Sequence, residues 1–236
     1  MKSKHSHPWN VSIEEAKKIQ EGLSEFVITN DEFARNLCLE KKIEKVLGVG
    51  IIFSRDEGKV SIACVSFSFP QLQILDQIVE KRNYDFPYTP GLFAFSVGPV
   101  ILSLLNKIEK PDLVIFPGRG VDHPRKLGLA SHLGVLLDLP TIACSKRPLW
   151  KDYSDLSMEK GAHVFMKDKN GALIGAVVRT KDKVKPIYVT IGHKISIQTA
   201  VKIILQCSPR YRIPEPLRQA HILAKNGSKQ IKSQRS

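Results

Sequence analysis

The sequence predicts an α/β fold, a mixed sheet with helices on both faces, and three observations predict it. Apolar or alternating runs over 45–54, 59–69 and 72–81 follow one another across short turns, as the strands of an antiparallel meander do. A later apolar run, Leu113 to Phe116, lies between stretches of helical spacing, as in a strand with crossover helices. No repeat or linker interrupts the 236 residues, so residues 1–224 are expected to form one domain.

Each element has a local reason. Spacing predicts a helix over 11–40, with Ser12 as N-cap ahead of Glu14 and Glu15. KVLGVGIIFS is a buried strand. Residues 59–69 alternate like a half-buried strand, and 72–81 complete the meander. After FPYTPG, a helix is predicted over 92–108. The strand at 113–116 follows, then a glycine-rich loop, a helix near 127–137 and a short strand at 141–144. Residues 150–161 read as irregular, 172–179 and 186–191 as a hairpin, and 196–207 as a helix. The prolines of RIPEPLRQAH read as stopping regular helix, and KNGSKQIKSQRS (225–236) as a basic, disordered tail.

Composition narrows function. A net charge of +13 favours polyanionic partners, nucleic acid first and an anionic membrane surface second. No run approaches the roughly 18 apolar residues of a membrane span. MKSKHSHPWN lacks the apolar core of a signal peptide, so a cytoplasmic, intracellular location is expected. The four cysteines form no CxxC pair and read as free, mostly buried thiols of a reducing compartment.

Four stretches carry candidate chemistry. PYTPG sets Pro87, Tyr88, Thr89 and Pro90 in a stiff loop: a tight turn before a helix, or a wedge between bases. In GRGVDHPRKLG, Gly118 and Gly120 allow close backbone approach. His123, Arg125 and Lys126 stand near an expected helix N-terminus, where a phosphate would bind, with solvated charges on a glycine turn as the alternative. Asp122 is a cap or an ion-pair partner. TIACSKRPLW brings Lys146 and Arg147 to the strand end that also carries Pro117. YVTIGHKIS puts His193 in a turn between strand and helix, and Arg212 and Arg218 extend the positive face.

Together PYTPG, PDLVIFPGRGVDHPRKLGLASHLG, LPTIACSKRPL, YVTIGHKIS and YRIPEPLR resemble the endonuclease V family, in its order and spacing, over about 43–217. The resemblance implies a ribonuclease H-like fold, a mixed five-stranded sheet flanked by helices on both faces. It also implies a magnesium-dependent nuclease of DNA repair that finds inosine in DNA or RNA and cuts the second phosphodiester 3′ to it. It makes Pro87 to Pro90 the wedge and Gly91, Leu92, Gly118 and Gly120 the base pocket. His123 and Lys146 would face the scissile phosphate, and His193 would lie near the metal.

This chain departs from the family pattern where the metal should sit. The family's G-x-D reads Gly48-Val49-Gly50, its F-x-E-x-P reads Phe95-Ser96-Val97-Gly98-Pro99, and its D-G-x-G reads Pro117-Gly118-Arg119-Gly120. The three carboxylates are thus replaced by Gly50, Val97 and Pro117, and magnesium needs one or two carboxylates as anchor. Asp122 is the remaining acid in reach, with His193 a weak ligand candidate. The expectation is a divergent member, a pseudoenzyme that binds nucleic acid without a cofactor. The alternatives are an active magnesium-dependent enzyme with a rearranged site, and an interaction module for protein or RNA that has lost lesion recognition.

Overall fold

A computed structural model describes residues 5–31, 43–54, 57–147 and 153–229. The meander forms as its pattern predicts. Strand β1 (Lys45–Ser54) pairs antiparallel with β2 (Lys59–Ser68), and β2 with β3 (Ile74–Asn83). Helix α1 (Ile13–Ser24) precedes them. Ser12 caps it by accepting from the Glu15 amide at 3.2 Å while the Glu15 carboxylate accepts from the Ser12 amide at 2.9 Å. The helix has 12 residues and stops at Ser24, well short of the expected end, and 32–40 lie outside the described residues.

Helix α2 (Phe93–Leu105) crosses to β4 (Leu113–Pro117), and α3 (Leu129–Leu137) leads to β5 (Thr141–Ser145). Then come β6 (His163–Lys167), β7 (Leu173–Val178), β8 (Ile187–His193), α4 (Ile197–Gln206) and α5 (Glu215–Lys229). The sheet has eight strands in the order β3-β2-β1-β4-β5-β8-β7-β6, where five were expected. β1, β4 and β5 run parallel, and the predicted hairpin of β7 and β8 continues the sheet antiparallel. β6 escapes the sequence because it is an edge strand with only Met166 buried, too thin a pattern to register.

Each face of the sheet has its own core. On one face, Leu47, Val49, Val60 and Ile62 meet Ile101 and Leu104 of α2 and Leu133 of α3. The N-terminal segment folds over this face, where Trp9 stacks on His132 at 5.4 Å. On the other face, Val46, Ile115, Ile142 and Val189 meet Val201 and Ile204 of α4. Cys64, Cys144 and Cys207 are buried free thiols, and Cys38 lies outside the described residues. Among the described residues no helix is long and apolar enough to cross a membrane.

Two sequence expectations fail for one reason, helix α5. β2 is buried on both faces, not half-buried, because the face that carries Ser61, Val65 and Phe67 meets α5 and not water: the Ser61 hydroxyl donates to the Ala224 carbonyl at 2.8 Å. The prolines of RIPEP begin a helix instead of ending one. Pro216 lies in the first turn, where a missing N–H costs nothing, and the Arg218 amide donates to the Pro214 carbonyl at 2.9 Å. The helix runs on to Lys229, into the stretch read as a tail.

α5 rests directly on β1. Strand alternation turns Leu47 and Val49 toward α2 and α3, and Gly48 and Gly50 toward α5. A Cβ at Gly48 would overlap the Pro216 carbonyl and stand 2.8 Å from the Leu217 nitrogen; one at Gly50 would overlap the Ala220 carbonyl and stand 2.6 Å from the His221 nitrogen. Both neighbours are backbone, so no rotamer change relieves the overlap. Gly48→Ala is therefore expected to destabilise the fold by about 3 kcal/mol. Thermal unfolding should show a fall in Tm of roughly 6–12 °C, and an unchanged Tm would mean that α5 is not held this close.

Candidate nucleic-acid interface

The C-terminal ends of β1, β4 and β5 share one sheet edge, and the loop over 84–92 leaves β3 at the same edge. A cavity of about 590 Å³ opens there. Gly50 and Pro117 line its floor, Tyr88 and Phe93 come from the loop and the start of α2, Ser145, Lys146 and Arg147 follow β5, and α5 contributes Leu217, Arg218 and His221. Strand ends of an open α/β sheet are where ligands bind.

The PYTPG loop is rigid and presents its aromatic. Phe86 and Leu92 anchor the two ends in a small core with Ala16 and Phe95. Between them the Thr89 hydroxyl donates to the Pro87 carbonyl at 3.2 Å, and the Leu92 amide donates to the Thr89 carbonyl at 2.9 Å. The Tyr88 ring stays 54% exposed, edge-on to Phe53 and Phe93.

The residues grouped as a base pocket separate. Gly118, at φ +108°, lines the cavity with open space where a side chain would stand. Gly91, at φ +80°, packs against the Arg125 guanidinium, where a Cβ would fall 2.8 Å from Nη2. Leu92 is buried in the small core, and Gly120 is buried against the Ile191 carbonyl of β8. Gly91, Leu92 and Gly120 shape the framework and do not line the cavity.

The phosphate candidates separate too. Lys146 and Arg147 are exposed at the cavity. Arg125 is committed elsewhere, donating to the Gln20 side chain at 2.7 Å and to the Gly91 carbonyl at 2.9 Å, and so ties α1 to the PYTPG loop. His123 is 8% exposed. Burial, then the charges of Arg125 and Arg119, push its pKa down to about 4. It is uncharged at neutral pH and supplies no cation. Lys126 is exposed, 3.7 Å from Asp168. The expected helix N-terminus stands two residues further on: α3 begins at Leu129, behind Gly128.

The metal positions do not fit a cation. No side chain can stand at Gly50, because α5 fills the space. Pro117 offers no donor, and Val97 is fully buried in the core beneath α2. Asp122 turns away: its Oδ1 accepts from the Gly120 amide at 2.8 Å, and burial raises its pKa. His193 lies at the opposite edge of the sheet. It pairs with Thr141, the first residue of β5, whereas Ser145 at the cavity is the last, about 13 Å further along the strand. Its Nδ1 accepts from the Ile28 amide at 3.2 Å. Among the described residues no group of three His, Cys, Asp or Glu could hold a metal ion.

His221 is the cavity residue that the sequence reading missed. Burial, then the charges of Lys146 and Lys225, lower its pKa. The signal was present: two glycines at i and i+2 on one strand face announce a close backbone, and a helix through PEPLRQAH carries His221 one turn beyond Arg218.

Comparison with known proteins finds a family and a shared fold. The family model described as Endonuclease V matches residues 25–222. The Endonuclease V of Trichormus variabilis is 44% identical over 222 residues, covering 93% of this chain and 97% of that protein. The crystal structure of the Endonuclease V from Streptomyces avermitilis superposes with a TM-score of 0.85 at 31% identity, covering 98% of this chain and 100% of that one. Ciona intestinalis Endonuclease V, in complex with a 24mer DNA containing an inosine followed by a ribo-adenosine, superposes with a TM-score of 0.79 at 27% identity, covering 93% and 98%.

Burial of a neutral His123 has a pH signature. Its folded-state pKa, about 4, lies below the unfolded value of 6.5, so the unfolded chain takes up the proton first. Stability should fall as pH drops from about 6.5 toward 4. In His123→Gln that segment of the stability–pH curve should flatten, measured by urea unfolding across the range; an unchanged slope would show His123 protonated in the fold.

Proposed function

The chain belongs to the endonuclease V family, and on that premise we propose that it binds inosine-containing nucleic acid at the β1–β4–β5 edge without the metal-dependent cleavage of its relatives. The observation that carries this reading is the packing of α5 on Gly50. In the family pattern this position holds a carboxylate, and here the space for one is taken by the Ala220 and His221 backbone. Hydrolysis of this type needs a cation to activate water and to take up the charge of the leaving oxygen, and the residues at the cavity offer it no anionic anchor.

The binding apparatus supports the other half. The wedge loop is anchored at both ends and presents Tyr88. Beside it lie Gly118 with open space above it and two exposed cations, Lys146 and Arg147. A base could be flipped past the wedge and its phosphate held by the cations, as enzymes that act on single bases do. The Ciona intestinalis protein, bound to DNA containing inosine, lends this the precedent of a relative.

The deciding experiment is a single-turnover assay with protein in excess over labelled inosine-containing duplex and single strand, with magnesium or manganese, and a parallel gel shift in chelator. The expected result is binding at least about tenfold tighter for inosine than for adenine, equal with and without metal, and no cut. A metal-dependent cut at the second phosphodiester 3′ to inosine would overturn the loss of cleavage. Equal, weak binding to both strands would overturn lesion recognition. Gly50→Asp should gain no cleavage and should lower Tm, because the carboxylate collides with α5 before it can reach a cation.

A further inference from the structure

The cavity edge continues beyond β5. β8 starts at this edge, with Tyr188 opposite Ser145, and β7 ends there, with Val178 opposite Ile187. The turn between them, 179–186, therefore stands beside the cavity, about 5–10 Å from β5 by strand spacing. It carries Lys181, Lys183 and Lys185, all exposed. Among the described residues none of the three is in an ion pair. The one acid between them, Asp182, accepts from the Lys160 amide at 2.6 Å and is turned to backbone. The turn is not loose: Arg179 at its base is 5% exposed, and its guanidinium donates to the Ser157 carbonyl at 2.5 Å and the Leu156 carbonyl at 3.3 Å.

A second feature joins this turn to the cavity. The connection from α4 to α5 is held against the turn, where the Thr180 hydroxyl donates to the Arg212 carbonyl at 2.6 Å and Arg212 Nη2 donates to the Pro186 carbonyl at 2.8 Å. The connection carries Tyr211, whose ring is 48% exposed while the Arg218 guanidinium lies 4.2 Å from its centroid. Arg218 is itself a wall of the cavity and is fixed by two bonds to Glu215, at 2.6 and 2.7 Å. An exposed aromatic is thus set between a cavity with cations and a rigid turn with three more. Lysines alone would read as a solvated turn. Beside an exposed ring they form the pattern that holds unpaired strands: cations track phosphates, and an aromatic face stacks a base of any sequence. A paired base has no free face to offer, so the ring favours a single strand.

Resting on the reading of the cavity as a nucleic-acid site, we propose that Tyr211 and the Lys181–Lys183–Lys185 turn form a second contact, which grips the unpaired stretch running from the cavity toward β7. Tyr88 stands on the β3 side of the cavity and Tyr211 on the β8 side, so a strand crossing the edge meets an aromatic on each flank.

Fluorescence anisotropy of the full chain with a labelled 20-nucleotide single strand and the matching duplex, neither containing inosine, tests the proposal. Tyr211→Ala should weaken single-strand binding about tenfold, leave the duplex within about twofold, and keep the wild-type Tm; Tyr211→Phe should bind as wild type. The combined change Lys181→Gln, Lys183→Asn and Lys185→Gln should lower the slope of log K against log salt by about 2 on the single strand, the value for three lost phosphate contacts. Asparagine suits Lys183 because the residue sits at φ +57°. An unchanged affinity of Tyr211→Ala for the single strand overturns the proposal, as does an equal loss on the duplex or an unchanged salt slope. The inosine-to-adenine ratio of the wild type reports separately on lesion recognition: a ratio near one would overturn that reading while these variants still test the track. Binding of neither nucleic acid overturns both.

Discussion

The contact on which the rest of this structure depends is the one between β1 and α5. Two glycines on one strand face let a helix lie on bare backbone, and a helix at that depth has several consequences at once. It seals the outer face of β2, which carries Ser61, Val65 and Phe67. It lowers Arg218 and His221 to the cavity wall. It also removes the room that a carboxylate at position 50 would need. Fold and chemistry are coupled here by volume: the same 2–3 Å that make the helix–strand contact close exclude the ligand that metal chemistry requires.

Charge then follows from packing. With Gly50, Val97 and Pro117 all neutral, the cations near the cavity have no acidic cluster to answer. Lys146 and Arg147 are exposed there; Arg218 is matched by Glu215, and the pKa of His221 is lowered by desolvation and by its cationic neighbours. Single surface charges contribute little against water and salt. Several phosphates neutralised together release bound counterions, and that collective term is the one a strongly basic chain can use. Part of the excess positive charge in the composition thus stands exposed at the cavity, as Lys146 and Arg147.

Much of this was legible in the sequence, and the misses have physical causes. Continuous apolar runs, the alternation over 59–69 and turn residues gave the meander, the hairpin and the central strands, because these patterns are local. Ser12 announced its cap because a capping box is local. The departures at Gly50, Val97 and Pro117 are visible only beside the motifs of the family that the chain resembles. What escaped depends on partners far along the chain. β2 reads as half-buried until α5, some 150 residues later, is known to cover it. His193 reads as a site residue until the register with Thr141 puts it at the far edge. Arg125 reads as a phosphate ligand, yet its partners, Gln20 and the Gly91 carbonyl, are 105 and 34 residues away. His221 was hidden by reading prolines as helix breakers, when at a first turn they are helix starters.

The same distinction explains why the elaborate loop after β4 persists in a chain that lacks the carboxylate beside it. Most of GRGVDHPRKLG is architecture. Gly120 closes on β8, Gly128 closes on the Arg119 carbonyl, and Asp122 satisfies the Gly120 amide. Arg125 holds α1 and the wedge loop in one piece, and His123 fills the space beneath Gly91 as an uncharged ring. Loss of any of these would shift the loop at 87–90 relative to the cavity and weaken the fold. Carboxylates are different in kind: like-charged groups crowded at a strand end repel one another and contribute little to packing, whereas Gly50 carries the close contact with α5. The residues that shape this sheet edge are therefore largely the residues that fold it.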